Sequence, residues 1–173
     1  FAAPVGAMRL HYGDKYDDLT YNDILVRACA NAGILAFTGD GTDPKVVEGA
    51  AEALKANGGC GVPTIKPWDM DTIREKFALV QESEPFAIAM DIDAAGLPFL
   101  QGLTPPAGSK SVEELKQIVS WAQRPFILKG IMTARGAEKA LEAGASGIVV
   151  SNHGGRVLDH CPATAEVLPD IVD

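Results

Sequence analysis

Short apolar runs alternate along this chain with longer segments in which apolar residues recur every three to four positions. The runs predict buried strands, and they occupy residues 34–37, 60–65, 86–90, 125–128 and 148–150. The segments between them predict amphipathic helices that bury one face. The first five residues form a further apolar run that could be a strand, whereas residues 9–19 and 94–110 are predicted to be loops.

The residues at the helix boundaries support this division. Asp43-Pro44 places an N-cap before a proline at the first helical position, and Ser111 with Glu114 makes a capping-box pattern. Thr20 and Thr133 are predicted to cap two further helices. Helices are therefore predicted within residues 20–33, 43–57, 69–81, 111–122, 133–144 and 163–172. Pro63 predicts an irregular or terminal position in its strand.

Strand and helix alternate about six times, which predicts an α/β protein with a parallel sheet. A doubly wound sheet and a (β/α)8 TIM-type barrel both satisfy this pattern. No G-x-G-x-x-G follows the first strand, and polar residues end nearly every strand, so the barrel is favoured. Because about six βα units cannot close a barrel of eight, we expect the last two strands to be missing and the chain to be a fragment.

Composition narrows the function classes. The 173 residues carry a net charge of −8, which gives no electrostatic case for nucleic-acid binding. Cys29, Cys60 and Cys161 are widely spaced, which argues against a disulfide framework or a metal site and favours the reducing cytoplasm. No stretch approaches the roughly 20 apolar residues that cross a bilayer, so no membrane partner is expected.

Polar residues cluster where the predicted strands end. In a barrel these ends surround one opening, and they carry Thr38 to Asp40, Lys66, Asp91, Asp93, Lys129 and residues 151–156. His153 could act as a general base, with Asp93 accepting its other N–H. Arg156 offers a planar fork for a carboxylate or phosphate, and Lys129 a positive charge near an anionic ligand. The alternative is that these residues form turns and solvated side chains. Their convergence favours an anion-binding site with a possible base.

Three stretches of the last third are specific enough to indicate a family. They are PFILKGIMT at residues 125–133, AGA at 143–145 and SNHGGR at 151–156, followed by Leu158-Asp159. Residues 162–164 and 167–169 continue the pattern, and the Ala-Ala-Pro start matches more loosely. These motifs closely resemble the FMN-dependent α-hydroxy-acid oxidases and dehydrogenases, whose members include lactate and glycolate oxidases.

The resemblance implies a fold and a reaction. It implies that residues 1–173 are a single, partial FMN-binding barrel domain that oxidises a small 2-hydroxy acid to a 2-oxo acid. FMN would carry the electrons, while the protein supplies positioning and electrostatics. His153 would be the base, Asp93 its partner, and Arg156 the ligand of the substrate carboxylate. The cofactor-binding residues implied by the match are Ala3, Pro4, Val5, Thr38, Lys66, Asp91, Lys129, Ser151 and Gly154.

Several positions depart from the family pattern. The Q-x-Y motif of the third barrel strand is absent from residues 62–66, and a second carboxylate-binding arginine is absent from residues 94–102. Asp91 stands where the family has a threonine, and it would alter the redox behaviour of a nearby flavin unless Lys66 neutralises it. The variant pattern resembles a divergent bacterial subgroup of α-hydroxy-acid oxidising proteins.

Alternatives to this function stay open from the sequence. One is a non-redox FMN barrel similar to type 2 isopentenyl-diphosphate isomerase, and another is a catalytically inactive homologue or fragment. The sequence does not separate oxidase from dehydrogenase. The resemblance also implies a homo-oligomer.

Overall fold

The computed structural model describes residues 1–100 and 102–172, and within them strands and helices alternate in chain order. Two compact units divide the chain. The first consists of residues 1–65 and 74–88, and the second of residues 66–73 and the chain from Ala89 onwards. The described pairings between strands are parallel, so the expected α/β class with parallel strands is confirmed. A membrane-spanning helix is absent from the described residues.

The first unit joins short helices to a pair of buried strands. Its elements are α1 (Met8–Tyr12), α2 (Asp18–Asn31), β1 (Ala36–Thr38), α3 (Pro44–Ala56), β2 (Gly61–Ile65) and most of α4 (Met70–Gln81). Every residue of β1 and β2 is buried, which explains their continuous apolar runs. Between α2, α3 and β1 lies a cluster of buried side chains: Val26, Cys29, Ala36, Ala53 and Leu54.

Pro63 lies in the middle of β2, so the prediction of an irregular or terminal position was wrong. It stands opposite Thr38, the last residue of β1, so its missing N–H falls where the ladder with β1 ends. The run at residues 1–5 forms only an isolated bridge between Ala2 and Ala36, rather than a strand. Pro4, which has no N–H to donate, follows this bridge closely.

Helix starts in the first unit depend on carboxylates. The Asp43 side chain accepts from Lys45 N at 3.0 Å and Pro44 opens α3, as predicted. α2 begins earlier than predicted, because Asp17 rather than Thr20 is its N-cap and accepts from Thr20 N at 2.9 Å. α1 lies where a loop was predicted. Its one buried residue, Met8, gives no periodic pattern to find.

The second unit contains the remaining strands. Its elements are β3 (Ile88–Asp91) from Ala89 onwards, α5 (Val112–Ala122), β4 (Phe126–Ile131), α6 (Ala134–Glu142), β5 (Gly147–Val150) and α7 (Thr164–Val172). The strand order is β3-β4-β5, and β4 pairs with β5 in parallel. Single 3₁₀ turns span Ile92–Gly96, Pro98–Leu100 and His153–Gly155. The first two lie where only a loop was predicted.

Predicted caps in the second unit are confirmed. Ser111 and Glu114 form a complete capping box at α5, and Thr133 Oγ1 accepts from Gly136 N at 3.0 Å at α6. β4 continues to Ile131, three residues beyond its predicted end, with a register shift between Lys129 and Ile131. Lys129 is consequently a residue within the strand, next to an irregularity, rather than the residue that ends it.

Candidate functional site

Five charged or titratable side chains of the second unit lie together at the ends of its strands. We call Lys66, Asp91, Asp93, Lys129 and His153 the charged cluster. Asp91 ends β3, Asp93 lies in the turn after it, Lys129 lies in β4, and His153 follows β5. Their side chains are only 7 to 15% exposed. The sequence predicted this convergence, because parallel strands present their carboxyl ends at one edge.

His153 has an acidic and a basic neighbour at the same ring nitrogen. Its Nδ1 lies 3.1 Å from Asp93 Oδ1 and 3.4 Å from Lys129 Nζ. A neutral imidazole nitrogen either donates or accepts, so only one of these contacts can be a full hydrogen bond. The shorter contact favours an Nδ1–H that donates to Asp93. Nε2 then carries the lone pair and is the basic nitrogen.

Asp91 faces Nε2, on the opposite side of the ring. Its Oδ2 lies 3.3 Å from Lys66 Nζ and 4.0 Å from His153 Nε2. Its Oδ1 is buried and has no hydrogen-bond partner within the described structure. Burial raises the pKa of the Asp91 carboxyl, while the positive charges of Lys66 and Lys129 act in the opposite direction.

Asp93 packs closely against a glycine in the neighbouring strand. Gly130 has a φ of +104°, and a Cβ added to it would lie 2.5 Å from Asp93 Cγ. Asp93 Oδ1 is also 3.9 Å from Lys129 Nζ. Gly130, at the irregularity in β4, therefore leaves space for the Asp93 carboxylate.

Hydrogen bonds within the loop position His153. Ser151 Oγ accepts from His153 N at 3.2 Å, and Asn152 Oδ1 accepts from Gly155 N at 3.2 Å. Asn152 Nδ2 also donates to Pro162 O at 3.1 Å. His153 itself has a φ of +56°, an uncommon conformation for a residue with a side chain. The two glycines after it, with φ of +68° and +75°, allow the chain to turn there.

Arg156 lies in the same loop but points elsewhere. Its guanidinium is 5.4 Å from the centroid of the Phe99 ring, and the residue is exposed. The described contact of Arg156 is therefore with Phe99 and not with the charged cluster. Gly154, adjacent to His153, is also exposed.

The remaining predicted site residues belong to the first unit. Ala3 is exposed, whereas Pro4 and Val5 are half-buried. Val5 O accepts from Gly39 N at 3.2 Å, and a Cβ on Gly39 would lie 2.4 Å from the Val5 carbonyl carbon. Thr38 is buried, and its hydroxyl has no partner within the described residues. The cofactor-binding roles of these four residues remain predictions.

Sequence reasoning missed the roles of Asn152 and Gly130. Asparagine side chains commonly accept hydrogen bonds from the backbone of a turn, and two glycines follow Asn152 within three residues. This pattern could have indicated the bond from Gly155 N to Asn152 Oδ1. Gly130 directly follows the buried lysine of an apolar run, where a glycine commonly marks a bulge or a close approach. Its contact partner, Asp93, is too distant in sequence to be deduced from that pattern.

Comparison with known proteins agrees with the motifs. Residues 104–173 match the family model described as FMN-dependent dehydrogenase. This part of the chain is therefore similar to that family, as its motifs predicted. A 2-hydroxyacid oxidase of Dictyostelium discoideum is 57% identical over 58 residues, a match that covers 34% of this chain and 15% of the relative.

Solved structures extend the similarity along the chain. A lactate oxidase of Pediococcus acidilactici matches with a TM-score of 0.77 and 26% identity, over 98% of this chain and 51% of the other. A mandelate oxidase variant solved with a monooxide FMN adduct matches with a TM-score of 0.74 and 26% identity, over 99% and 52%. These relatives are TIM-type barrels, which confirms the predicted fold class. The chain spans about half the length of the solved structures it matches.

Proposed function

We propose that the protein oxidises a small 2-hydroxy acid to a 2-oxo acid with FMN as the electron acceptor. The observation that carries this proposal is the arrangement at His153, whose Nδ1 lies 3.1 Å from Asp93 and whose Nε2 is left as the base. The loop that holds it lies within the residues that match the FMN-dependent dehydrogenase family. The similar 2-hydroxyacid oxidase and lactate oxidase support this substrate class.

Two features of the second unit fit FMN. Lys129 is a largely buried cation, suited to negative charge on a bound ring, and the buried Oδ1 of Asp91 has no partner within the described residues. FMN would accept the two electrons that leave the substrate as a hydride. Ala3, Pro4, Val5, Thr38, Lys66, Ser151 and Gly154 are proposed as further cofactor-binding residues.

The chain's own residues would divide the remaining tasks. His153 Nε2 would take the proton of the substrate hydroxyl, and Asp93 would hold the ring in the required tautomer. Arg156 would bind the substrate carboxylate through the N–H groups of its exposed guanidinium, whose Cζ lies 5.4 Å from the Phe99 ring centroid.

Anaerobic spectroscopy tests the proposal. FMN-loaded protein is mixed with a panel of 2-hydroxy acids, and loss of the visible flavin absorbance is expected with at least one of them. His153→Gln should slow this bleaching by about 100-fold or more while FMN stays bound, because a general base contributes roughly that factor. His160→Gln is the matched control, since His160 is fully exposed and contacts only exposed Asp159 in the described structure.

Each other outcome has a definite meaning. Bound FMN that no hydroxy acid bleaches would contradict the proposal and favour the isomerase-like or inactive alternatives. Bleaching that survives in His153→Gln would remove His153 as the base.

Three finer expectations are also proposals. We propose that the protein works in the cytoplasm, which agrees with three unpaired thiols, Cys29, Cys60 and Cys161. We propose a bacterial origin from the divergent motif pattern, and a homo-oligomeric state.

A further inference from the structure

The charged cluster contains one acidic group that the proposed proton transfer does not use. Asp91 Oδ2 lies 4.0 Å from His153 Nε2, while Asp93 Oδ1 lies 3.1 Å from Nδ1. The imidazole therefore lies between two carboxyl groups, one facing each nitrogen. Both carboxyl groups are about nine-tenths buried, so water screens their charges weakly.

The charges around the ring show why Asp93 alone does not balance the charge of a protonated His153. Lys129 Nζ lies 3.4 Å from Nδ1, where its positive charge opposes protonation of the ring. Asp93 lies beside that same nitrogen and 3.9 Å from Lys129, so it offsets the lysine. Asp91 is the remaining negative charge at the ring. Lys66, 3.3 Å from Asp91 Oδ2, holds that oxygen in place and offsets part of its negative charge.

We propose that Asp91 is a second acidic partner of His153, which stabilises the protonated imidazole from the Nε2 side. It is a positioning residue, because it acts through His153 rather than on the substrate. When the substrate O–H bond breaks and the Nε2–H bond forms, the ring gains a positive charge and Asp91 is its near counter-charge. This inference rests on the proposed function, in which His153 receives that proton.

The test is a histidine titration by NMR on the 173-residue chain without cofactor or substrate. The chain has three histidines, and His153→Gln assigns the relevant signal. In Asp91→Asn, the titration midpoint of His153 should fall by about one pH unit, a tenfold loss of proton affinity, because a counter-charge within 4–6 Å is removed.

A matched control lies on the surface of the same chain. His160 Nε2 is 3.5 Å from Asp159 Oδ2, but the two side chains are 95% and 94% exposed. Asp159→Asn should move the His160 midpoint by less than about 0.3 pH unit, because water and salt screen an exposed pair. A larger shift at His153 than at His160 is therefore the signature of the buried arrangement.

Asp91→Asn removes the carboxylate that lies 3.3 Å from the buried Lys66 ammonium, and loss of a buried charge pair can prevent folding. The same substitution is therefore also made in a Lys66→Met background, where a lower midpoint than in Lys66→Met alone supports the inference. An unchanged His153 midpoint in every folded pair of variants overturns it.

Kinetics then connect the titration to the reaction. The acidic limb of kcat/KM should move to lower pH in Asp91→Asn, in parallel with the midpoint, because the ring then loses its proton more readily. The titration separates the two proposals. A shifted midpoint in a protein that no hydroxy acid bleaches overturns only the proposed function, whereas bleaching with an unshifted midpoint overturns only the role of Asp91.

Discussion

At Gly130, the absence of a side chain allows Asp93 to approach the backbone of β4 closely. A methyl group there would lie 2.5 Å from Asp93 Cγ, in a backbone with a φ of +104°. We predict that Gly130→Ala lowers the free energy of unfolding by about 1–3 kcal/mol through this strain and displacement. The substitution should also move the His153 titration midpoint, because the carboxylate beside Nδ1 shifts. Urea unfolding and histidine NMR measure the two effects.

Substitutions at two other glycines separate backbone strain from the displacement of Asp93. Gly154 has a φ of +68° and nothing within 4 Å of an added Cβ, so Gly154→Ala reports backbone strain alone. Gly108 also has open space and no positive φ, so Gly108→Ala should leave both measurements nearly unchanged. If Gly130→Ala moves the His153 midpoint no more than Gly154→Ala, the steric explanation is wrong.

Burial of Asp91 predicts a pH dependence of stability. Its pKa is raised by burial in the folded chain, so the folded state binds this proton more tightly than the unfolded chain does. Relative to a Lys66→Met, Asp91→Asn double variant, the wild type should be most stable below the unfolded pKa of about 3.9. That advantage should be lost as the pH rises through the folded pKa. Urea unfolding of both proteins between about pH 4 and 7 checks the sign, and a difference independent of pH would contradict it.

Sequence reasoning predicted much of the site at the residue scale. Strand order brought His153 to Asp93, and one of the two alternatives for Asp91, a contact with Lys66, agrees with the 3.3 Å between them. The direction of an exposed side chain could not be predicted in this way. Arg156 packs over Phe99, and such a contact depends on the path of a loop that no periodic pattern specifies.

At the scale of elements, local chemistry predicted the helix starts better than the strand ends. A cap is an interaction within about three residues, so Asp43, Ser111 and Thr133 could be identified directly. The end of β4 depends on pairing with β5 across a register shift, and that information is not local. Five-residue α1 is shorter than two turns and shows no periodicity.

The start of α4 provides a test of capping. Asp69 accepts from Thr72 N at 3.0 Å and from Thr72 Oγ1 at 2.9 Å, and the first of these bonds chiefly lowers its pKa. We predict that Asp69→Ala lowers the free energy of unfolding by about 1 kcal/mol at neutral pH. Because the folded pKa is depressed, the ionic part of this effect is present above about pH 3.9 and is lost as the pH falls through the folded value.

Two substitutions control that measurement. Asp69→Asn keeps an acceptor for the same N–H and should retain most of the stability at every pH. Asp71→Ala removes a carboxylate from the same first turn without removing a described cap. Equal losses in Asp69→Ala and Asp71→Ala would show that helix-dipole electrostatics, rather than capping, stabilises this helix start.

At the scale of the whole molecule, the βα alternation sufficed to predict the fold class. It could not specify how far the sheet closes, because closure depends on strand number and tilt rather than on any single segment. The structure agrees with the predicted α/β architecture. The chain aligns with about half of each similar barrel, and the other half of that barrel has no counterpart in the alignment.

The carboxy-terminal third exposes unusual apolar surface. No described residue of α7 is buried, and Leu141 on α6 is 77% exposed. Leu158, Leu168 and Val172 are exposed in the same region of the sequence. Monomeric soluble proteins rarely expose large apolar patches to water. We therefore predict that the 173-residue chain self-associates through these side chains. Light scattering should give a mass above 18.2 kDa that rises with concentration.

A substitution on α6 tests whether this surface is the cause. Leu141→Gln should lower the associated fraction, whereas Ala134→Gln adds the same polar group to an exposed position of α6 without removing a large apolar side chain. Two results would contradict the prediction: a folded wild type of 18.2 kDa at all concentrations, or equal association of the two variants. Loss of association in Leu141→Gln alone would show that the exposed leucine contributes to the contact.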